Sequence, residues 1–385
     1  MSLTPSELDR LQQIAFAYKE PVVELAQRIC AVPAPTGQEQ QRAALVASLL
    51  RERNYEPEID EISNVYVRRG QHNERPVLML LAHTDTVFPA DTPLRIERDG
   101  DVLRGPGIGD NSLSVAAMII LLEILDKLGI ETGADIVVVA NVGEEGLGNL
   151  RGARAAVERY RHDLGAVIAI DGRIGYIVNT AVGSKRWRVT VRGPGGHSFG
   201  SFGTPSAIHG LGRIIAAIAA LEVPRQPRTT YNVGMIEGGT SINTIAPQAT
   251  ALIDMRSVDV ATLERLAEQV RQIVEREAGP GLQTNIEVLG ERPAGRCAQD
   301  NPLVRLAVRS LRWVGYEPEF TASSTDANIP LSLGIPAVCV GVTRTERAHT
   351  VEEWLAIPSI PAGLAQLLRL CIETCALIAN GAAIL

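Results

Sequence analysis

Two adjacent carboxylates, Glu144 and Glu145, follow the largely apolar run 134–143. A carboxylate at the end of an apolar strand contributes little to packing, because a desolvated charge needs a cation or a proton to neutralise it. This pair therefore indicates a site that binds cations or transfers protons.

Other side chains that can bind metal follow other apolar or glycine-rich runs along the chain. They are His83, Asp85, Asp110, Asp171 and His349. Taken singly, each has an ordinary structural explanation, such as a turn former, a helix N-cap or a buried histidine. Ligands gather beyond the carboxyl ends of the strands in open α/β sheets, so we expect these groups to meet in space. Together they predict the site of a two-metal hydrolase.

The surroundings of these residues suggest which role each would have in such a site. A co-catalytic site needs a carboxylate that bridges two cations ~3.5–4 Å apart, and Asp110 suits this role because the glycines before it allow a tight turn. Asp85 lies two residues after His83 and can orient that imidazole by hydrogen bonding. Of Glu144 and Glu145, one can bind metal while the other acts as a general base, taking a proton from water and passing it to the leaving amine.

The elements around these residues alternate in the first half of the chain. Helical spacing marks 20–31, 38–53, 112–129 and 147–160. Strand-like runs mark 64–69, 76–82, 135–142 and 166–170. Such alternation predicts an α/β fold with a mixed, mostly parallel sheet between helices.

The pattern changes between about residues 183 and 292. Residues 185–192 alternate strictly, with Trp187, Val189 and Val191 on one face, which predicts a sheet with one wet face. The order that follows is helix 205–222, strands 231–237 and 249–256, helix 259–278 and strand 283–289. This is the β-α-β-β-α-β order of a ferredoxin-like unit.

The α/β rhythm returns near the end of the chain, with a helix at 301–314, a strand at 336–342 and a final helix from about 358. The chain of 385 residues is longer than one core usually supports. We therefore expect two domains, a discontinuous one over 1–182 and 293–385 and an inserted one over 183–292.

Composition limits the range of partners. The net charge is −7 and aromatic residues make up 4%, so neither a basic stripe nor a stacking platform for nucleic acid is expected. The longest apolar run, 115–122, is too short to span a membrane, and the N-terminal residues do not resemble a targeting signal. The five cysteines lack a Cys-x-x-Cys spacing and fit buried free thiols. We expect a cytoplasmic protein with no nucleic-acid or membrane partner.

Several motifs, in this order, resemble those of the M20 metallopeptidase family, which includes peptidase T, carboxypeptidase G, acetylornithine deacetylase and succinyl-diaminopimelate desuccinylase. They are Ala-His-Thr-Asp-Thr-Val (82–87), Gly-Pro-Gly-Ile-Gly-Asp-Asn (105–111), Gly-Glu-Glu-Gly (143–146), Asp171, Gly-Pro-Gly-Gly-His-Ser (193–198), Ile-Asn-Thr-Ile-Ala-Pro (242–247) and Ala-His-Thr (348–350). The resemblance extends over nearly the whole chain.

The resemblance implies a role for each residue of the metal site. His83, Asp110 and Asp171 would hold one zinc ion, and Asp110, Glu145 and His349 would hold the other. Glu144 would be the general base and Asp85 the partner that orients His83. A cis peptide bond between Asp110 and Asn111 is also implied, although Asn111-Ser112-Leu113 departs from the usual sequence after the bridging aspartate.

The resemblance also implies that the inserted domain is a lid that forms a homodimer. In dimeric relatives a histidine that corresponds to His197 reaches the partner's active site and stabilises the oxyanion. Asn243 and Arg256 correspond to positions that bind the substrate carboxylate. The stretch 323–326, Ser-Ser-Thr-Asp, departs from the Gly-Gly-Thr of many relatives, so the substrate pocket is expected to differ.

Several choices stay open at this stage. The substrate is a short peptide, our first choice, or an N-acyl amino acid, and the two ions are zinc, with cobalt or manganese as alternatives. A serine hydrolase is a rival, because residues 196–200 fit a Gly-x-Ser-x-Gly elbow around Ser198, with Asp326 and His349 in the required order. A phosphate cradle at 105–109 and a non-catalytic binding module are further rivals. His72 and His162 are expected to be solvated and His209 to lie in the core.

Overall fold

The computed structural model describes residues 3–70 and 76–381. Its helices are α1 (Pro5–Ala17), α2 (Lys19–Cys30), α3 (Gln40–Arg51), α4 (Leu113–Lys127), α5 (Arg151–Arg159), α6 (Ala207–Ala219), α7 (Val260–Glu277), α8 (Pro302–Trp313), α9 (Asn328–Ser332) and α10 (Ile360–Ala379). Its strands are β1 (Glu58–Ile59), β2 (Val65–Arg69), β3 (Val77–His83), β4 (Glu97–Asp99), β5 (Val102–Arg104), β6 (Ile136–Asn141), β7 (Leu164–Ile170), β8 (Tyr176–Ala181), β9 (Gly183–Arg192), β10 (Gly196–His197), β11 (Thr229–Gly238), β12 (Thr244–Ile245), β13 (Gln248–Ser257), β14 (Gln283–Arg292), β15 (Gly295–Arg296), β16 (Glu319–Ser323), β17 (Ala337–Val340), β18 (Arg344–Glu346) and β19 (Trp354–Ala356).

The chain divides into two compact units, a larger one of Met1–Ala181 with Arg296–Leu385 and a smaller one of Val182–Gly295. The larger unit is built on a mixed sheet in the order β1-β2-β6-β3-β7-β17-β8-β15, and β16 also pairs with β8. Strands β6, β3, β7 and β17 run parallel at its centre. This arrangement confirms the predicted fold class.

The central strands are buried because both faces of the sheet are covered. Every residue of β3 and of β6 is buried, and both strands are almost wholly Val, Ile, Leu, Met and Ala. Two helical stretches, Ile108–Lys127 and Ile357–Ala379, are long and apolar enough to cross a membrane, but 89% and 72% of their most apolar windows are buried within the fold. They are core helices, which pass the same test of length and composition.

The parallel strands bring their carboxyl ends to one edge of the sheet. Strand β3 ends at His83, β6 at Asn141, β7 at Ile170 and β17 at Val340. His83 is the last residue of β3, the loops after β6 and β7 carry Glu144, Glu145 and Asp171, and His349 follows β18. Asp110 lies in a distorted turn, Ile108–Ser112, before α4. The topology therefore gathers residues that are far apart in sequence.

The smaller unit is a four-stranded antiparallel sheet in the order β11-β13-β9-β14. Helices α6 and α7 pack on the face that buries Trp187, Val189 and Val191, while Arg186 and Arg188 lie on the other, wetter face. The strand order and the two helices are those of a ferredoxin-like unit, as predicted.

Some local predictions were wrong. Helix α5 begins at Arg151 instead of near 147, because Asn149 and Leu150 adopt left-handed backbone angles with φ of 58° and 57°. His209 is exposed, since the buried stripe of α6 runs through Ala207, Leu211 and Ile214 and His209 lies off it. His162 is exposed as predicted, and His72 lies outside the described residues.

Candidate metal centre

Two groups of candidate metal ligands share one residue, Asp110. The ligand atoms of His83, Asp110 and Asp171 all lie within 4.8 Å of one another, and so do those of Asp110, Glu145 and His349. His83 Nε2 lies 3.1 Å from Asp110 Oδ1, whereas His349 Nε2 lies 3.2 Å from Asp110 Oδ2. Each carboxylate oxygen of Asp110 thus faces a different histidine, which is the arrangement that a bridging carboxylate requires.

The imidazole of His83 is oriented for binding a cation. Its Nδ1 lies 3.1 Å from the backbone oxygen of Asp85, to which it donates, and 3.6 Å from Asp85 Oδ1. Its Nε2 is buried and has no hydrogen-bond partner among the described residues, although Asp110 is close. Burial lowers the pKa of His83, but the carboxylates of Asp110 and Asp85 outweigh burial and raise it well above its ordinary value. The carboxylates that favour a proton at Nε2 would equally favour a metal cation there.

Asp85 supports the turn that carries Glu144 and Glu145 as well as His83. Its carboxylate is fully buried and accepts hydrogen bonds from the backbone N–H groups of Glu144 at 3.0 Å and Glu145 at 2.9 Å. Thr36 Oγ1 donates to it at 2.8 Å. Burial alone would raise the pKa of Asp85, but His83 and the two N–H donors hold it below its usual range. Asp85 therefore fixes the turn that carries the glutamate pair, a role that the sequence did not suggest.

The turn that carries Asp110 is well supported in spite of its unusual sequence. The peptide bond between Asp110 and Asn111 is cis, as the resemblance implied. The buried Asn111 side chain donates from Nδ2 to the backbone oxygen of Ile170 at 2.9 Å. This hydrogen bond ties the turn to the end of β7, directly beside Asp171.

The second ligand group includes the more exposed His349, whose backbone is left-handed with a φ of 67°. Its Nε2 lies 3.0 Å from Glu145 Oε1. The hydrogen bond to Asp110 raises the pKa of His349 to about 9. Burial, and then the charge of Asp110, raise the pKa of Glu145 to about 8.

The cluster places three carboxylates, those of Asp110, Glu145 and Asp171, close to one another. Burial, and then the charge of the neighbouring Asp110, raise the pKa of Asp171 to about 7, because like charges at close range disfavour ionisation. A set of imidazole nitrogens and carboxylate oxygens around a shared carboxylate suits two divalent cations such as zinc. The residues present therefore fit a dinuclear metal centre.

Glu144 lies beside this centre without belonging to either group that shares Asp110. It is buried, and its carboxylate lies within 4.8 Å of ligand atoms of His83 and Glu145. This placement suits a proton acceptor next to the metals.

Asp326 is a buried acid close to the centre, which the sequence analysis connected with the serine elbow and with a departure from the family pattern at 323–326. Asn141 Nδ2 donates to its Oδ2 at 2.8 Å. Burial, and then the charge of Glu144, raise the pKa of Asp326 to about 7. Its place in a Thr-Asp pair near the end of β16 was the signal available in the sequence.

The smaller unit brings His197 and Asn243 together. Strands β10 and β12 pair so that His197 faces Thr244, and the backbone oxygen of Asn243 accepts a hydrogen bond from the N–H of Ser198 at 2.9 Å. His197 Nδ1 accepts from the N–H groups of Phe199 and Gly200, both at 3.2 Å. In the neutral ring the hydrogen is therefore on Nε2, which can donate to an acceptor.

Arg256 lies elsewhere in the same unit. Asn243 lies shortly before β13, which starts at Gln248. Arg256 lies near the other end of that strand, eight residues or about 26 Å from Gln248. Its guanidinium pairs with Asp254 at 2.7 Å. The fold of the smaller unit thus separates Arg256 from the histidine and asparagine.

The structure disfavours both rival sites. Ser198 follows the two-residue antiparallel strand β10, and the next helix, α6, begins only at Ala207, so the strand-to-helix turn of a nucleophile elbow is not formed there. The N–H groups of Gly107 and Gly109 donate to the buried carboxylate of Glu353, so they do not form a phosphate cradle.

Comparison with known proteins agrees with the geometry. Residues 79–373 match the model of peptidase family M20/M25/M40. The chain belongs to this family. It is 26% identical over 372 residues to a succinyl-diaminopimelate desuccinylase of Methylobacterium radiotolerans, and the match covers 88% of this chain and 93% of that one.

Solved structures of M20 proteins share the fold. A tripeptidase from Staphylococcus aureus superposes with a TM-score of 0.79 at 22% identity, over 93% of this chain and 99% of that chain. A dinuclear metal-binding M20 peptidase from Bacillus subtilis superposes with a TM-score of 0.69 at 17% identity, over 93% of this chain and 98% of that chain. The protein is thus an M20 hydrolase, a peptidase or a deacylase, of a family with dinuclear metal sites.

Proposed function

We propose that this M20 hydrolase cleaves an amide bond in a short peptide, as a dipeptidase, tripeptidase or aminopeptidase. The observation that carries the proposal is the carboxylate of Asp110, whose two oxygens face the two ligand groups next to Glu144. The alternative is an N-acyl amino acid deacylase, which is favoured by the match to a desuccinylase over most of the chain.

The ligands would be His83, Asp110 and Asp171 for one ion, and Asp110, Glu145 and His349 for the other. Two divalent ions, zinc or else cobalt or manganese, would polarise the scissile carbonyl and lower the pKa of a water. Glu144 would accept the proton of that water and deliver it to the leaving amine. Asp85 would hold His83 and the glutamate turn in place.

The smaller unit would supply the groups that bind substrate. His197, with its hydrogen on Nε2, would donate to the developing oxyanion in the active site of a partner subunit, so the protein would act as a homodimer. Asn243, which lies beside His197, would bind the substrate carboxylate, whereas Arg256 lies too far along β13 to bind that same carboxylate within one subunit. A cytoplasmic location is supported by five free, buried cysteines.

The experiment combines metal analysis with a substrate panel. We expect about two divalent ions per purified chain, cleavage of a di- or tripeptide, and loss of cleavage on chelation that returns when zinc is added. Cleavage of N-acyl amino acids alone would favour the deacylase. Activity that resists chelation but is lost in Ser198→Ala would overturn the proposal.

A further inference from the structure

The carboxylate of Glu353 lies buried against the glycine-rich loop that carries Asp110. Glu353 Oε2 accepts the N–H of Gly107 at 3.0 Å. Its Oε1 accepts the N–H of Gly109 at 2.6 Å and that of Asp110 at 2.8 Å. One side chain with 0% exposure therefore receives three backbone donors from a single loop.

The loop is built to approach this carboxylate closely. A Cβ atom at Gly109 would lie 2.2 Å from Thr345 Oγ1 and 3.1 Å from Glu353 Oε1, so a larger residue does not fit there. Gly107 has a left-handed φ of 78°, which favours glycine. Gly109 is thus explained by its closeness to Thr345 and Glu353, and Gly107 by its left-handed backbone.

The backbone of Glu353 joins the same loop to the segment that carries His349. The N–H of Gly105 donates to the backbone oxygen of Glu353 at 2.9 Å, and the N–H of Glu353 donates to the backbone oxygen of Thr350 at 3.1 Å. Glu353 therefore connects the segments of Asp110 and His349, which belong to one candidate ligand group.

A carboxylate is the side chain that satisfies this arrangement. It offers two oxygens with about four acceptor positions and presents no donor to the three N–H groups. A glutamine of the same size would place its NH₂ group against one of these donors, and the N–H there would be left buried without an acceptor.

We propose that Glu353 is a positioning residue that holds Asp110 in place relative to His349 and so sets the affinity for metal at the group of Asp110, Glu145 and His349. This inference rests on the proposed function, because it concerns the metal centre named there. Residues that orient metal ligands typically change metal affinity about 10–100-fold when they are replaced.

The test is a zinc titration of the metal-free full chain against a chromophoric chelator. In Glu353→Gln we expect the ion held by Asp110, Glu145 and His349 to bind about 10–100-fold more weakly, and the other ion, which shares only Asp110 with that group, to lose less affinity. Glu353→Asp keeps the charge but is one methylene shorter, so an intermediate loss is expected. Cobalt substitution should give a visible spectrum that changes more for the ion at His349 than for the ion at His83.

Two variants separate positioning from general destabilisation. Glu352→Gln removes the neighbouring, exposed carboxylate that pairs with Arg347. Glu373→Gln removes another buried carboxylate, which lies on α10 and pairs with Arg309 and Arg369. Both should bind two zinc ions with wild-type affinity, even if Glu373→Gln melts at a lower temperature.

Two outcomes would overturn the inference alone. One is a Glu353→Gln protein with wild-type affinity for both ions and an unchanged cobalt spectrum, and the other is an equal loss of affinity in Glu373→Gln. If Glu353→Gln does not fold, the affinity of Glu353→Asp decides by the same criteria. A wild-type chain that binds no metal would instead refute the proposed function.

Discussion

At the residue scale, the centre depends on a few carboxylates whose roles differ because their surroundings differ. Asp110 faces two histidines, which outweigh burial and hold its pKa below the usual range. Burial, and then the charge of the neighbouring Asp110, raise the pKa values of Glu145 and Asp171. Adjacent residues of one type, Glu144 and Glu145, can therefore act as proton acceptor and metal ligand.

Glu144→Gln should greatly reduce turnover while leaving the metals bound. The amide keeps the shape of the side chain but cannot accept the proton of the attacking water, so kcat should fall about 10²–10⁴-fold. Metal content by atomic emission and kcat on the cleaved peptide check this. Wild-type turnover, or loss of both metals from the variant, would contradict the role assigned to Glu144.

At the scale of elements, the decisive features are the ends of strands and the turns after them. Three parallel strands, β3, β6 and β7, bring His83, the glutamate turn and Asp171 to one edge of the sheet, and His349 follows β18 of the small sheet. The turn before α4 carries Asp110 and is anchored by Asn111 to β7. These contacts join elements that are distant in sequence.

Asn111→Ala should loosen that turn. It removes the hydrogen bond to Ile170 and leaves a buried carbonyl without its side-chain donor, which costs about 1–3 kcal/mol. We expect a lower thermal transition of the metal-free protein and weaker zinc binding. Asn232→Ala, at an exposed position of β11, is the matched control and should change neither; equal effects of the two substitutions would contradict the anchoring role.

At the scale of the whole molecule, the two units have separate hydrophobic cores. The core of the smaller unit includes Trp187, Leu211, Ile253, Leu266 and Val270, all contributed from within Val182–Gly295. The metal-ligand candidates lie in the larger unit. Metal binding should therefore stabilise the larger unit directly.

Chelation should lower the melting temperature of the full chain, because a ligand that binds only the folded state stabilises it and its removal leaves the carboxylates without counter-charges. A protein comprising residues 182–295 alone should unfold cooperatively at a temperature that chelation does not change. Calorimetry of both proteins with and without chelator checks this. A chelator effect on the isolated segment, or none on the full chain, would refute the assignment of the metals to the larger unit.

Much of the fold was predictable from periodicity. Strands β3, β6 and β7 are continuous apolar runs, and the alternation in β9 indicated a sheet with one wet face, since burial on two faces or on one dictates these patterns. Helix α1, strands β8 and β16, and the small sheet of β4, β5, β18 and β19 were not predicted. Three-residue strands show too few alternations for a period to be seen.

The sequence by itself determined the family, the α/β class and the identities of the metal-ligand candidates, because each depends on residue type and order. Only the tertiary structure decided that each carboxylate oxygen of Asp110 faces a different histidine, and that Asp85 holds the glutamate turn. It also revealed the contacts of Asp326 and Glu353. These roles depend on hydrogen bonds between segments up to 246 residues apart, and such distances are set by packing, which local sequence patterns do not encode.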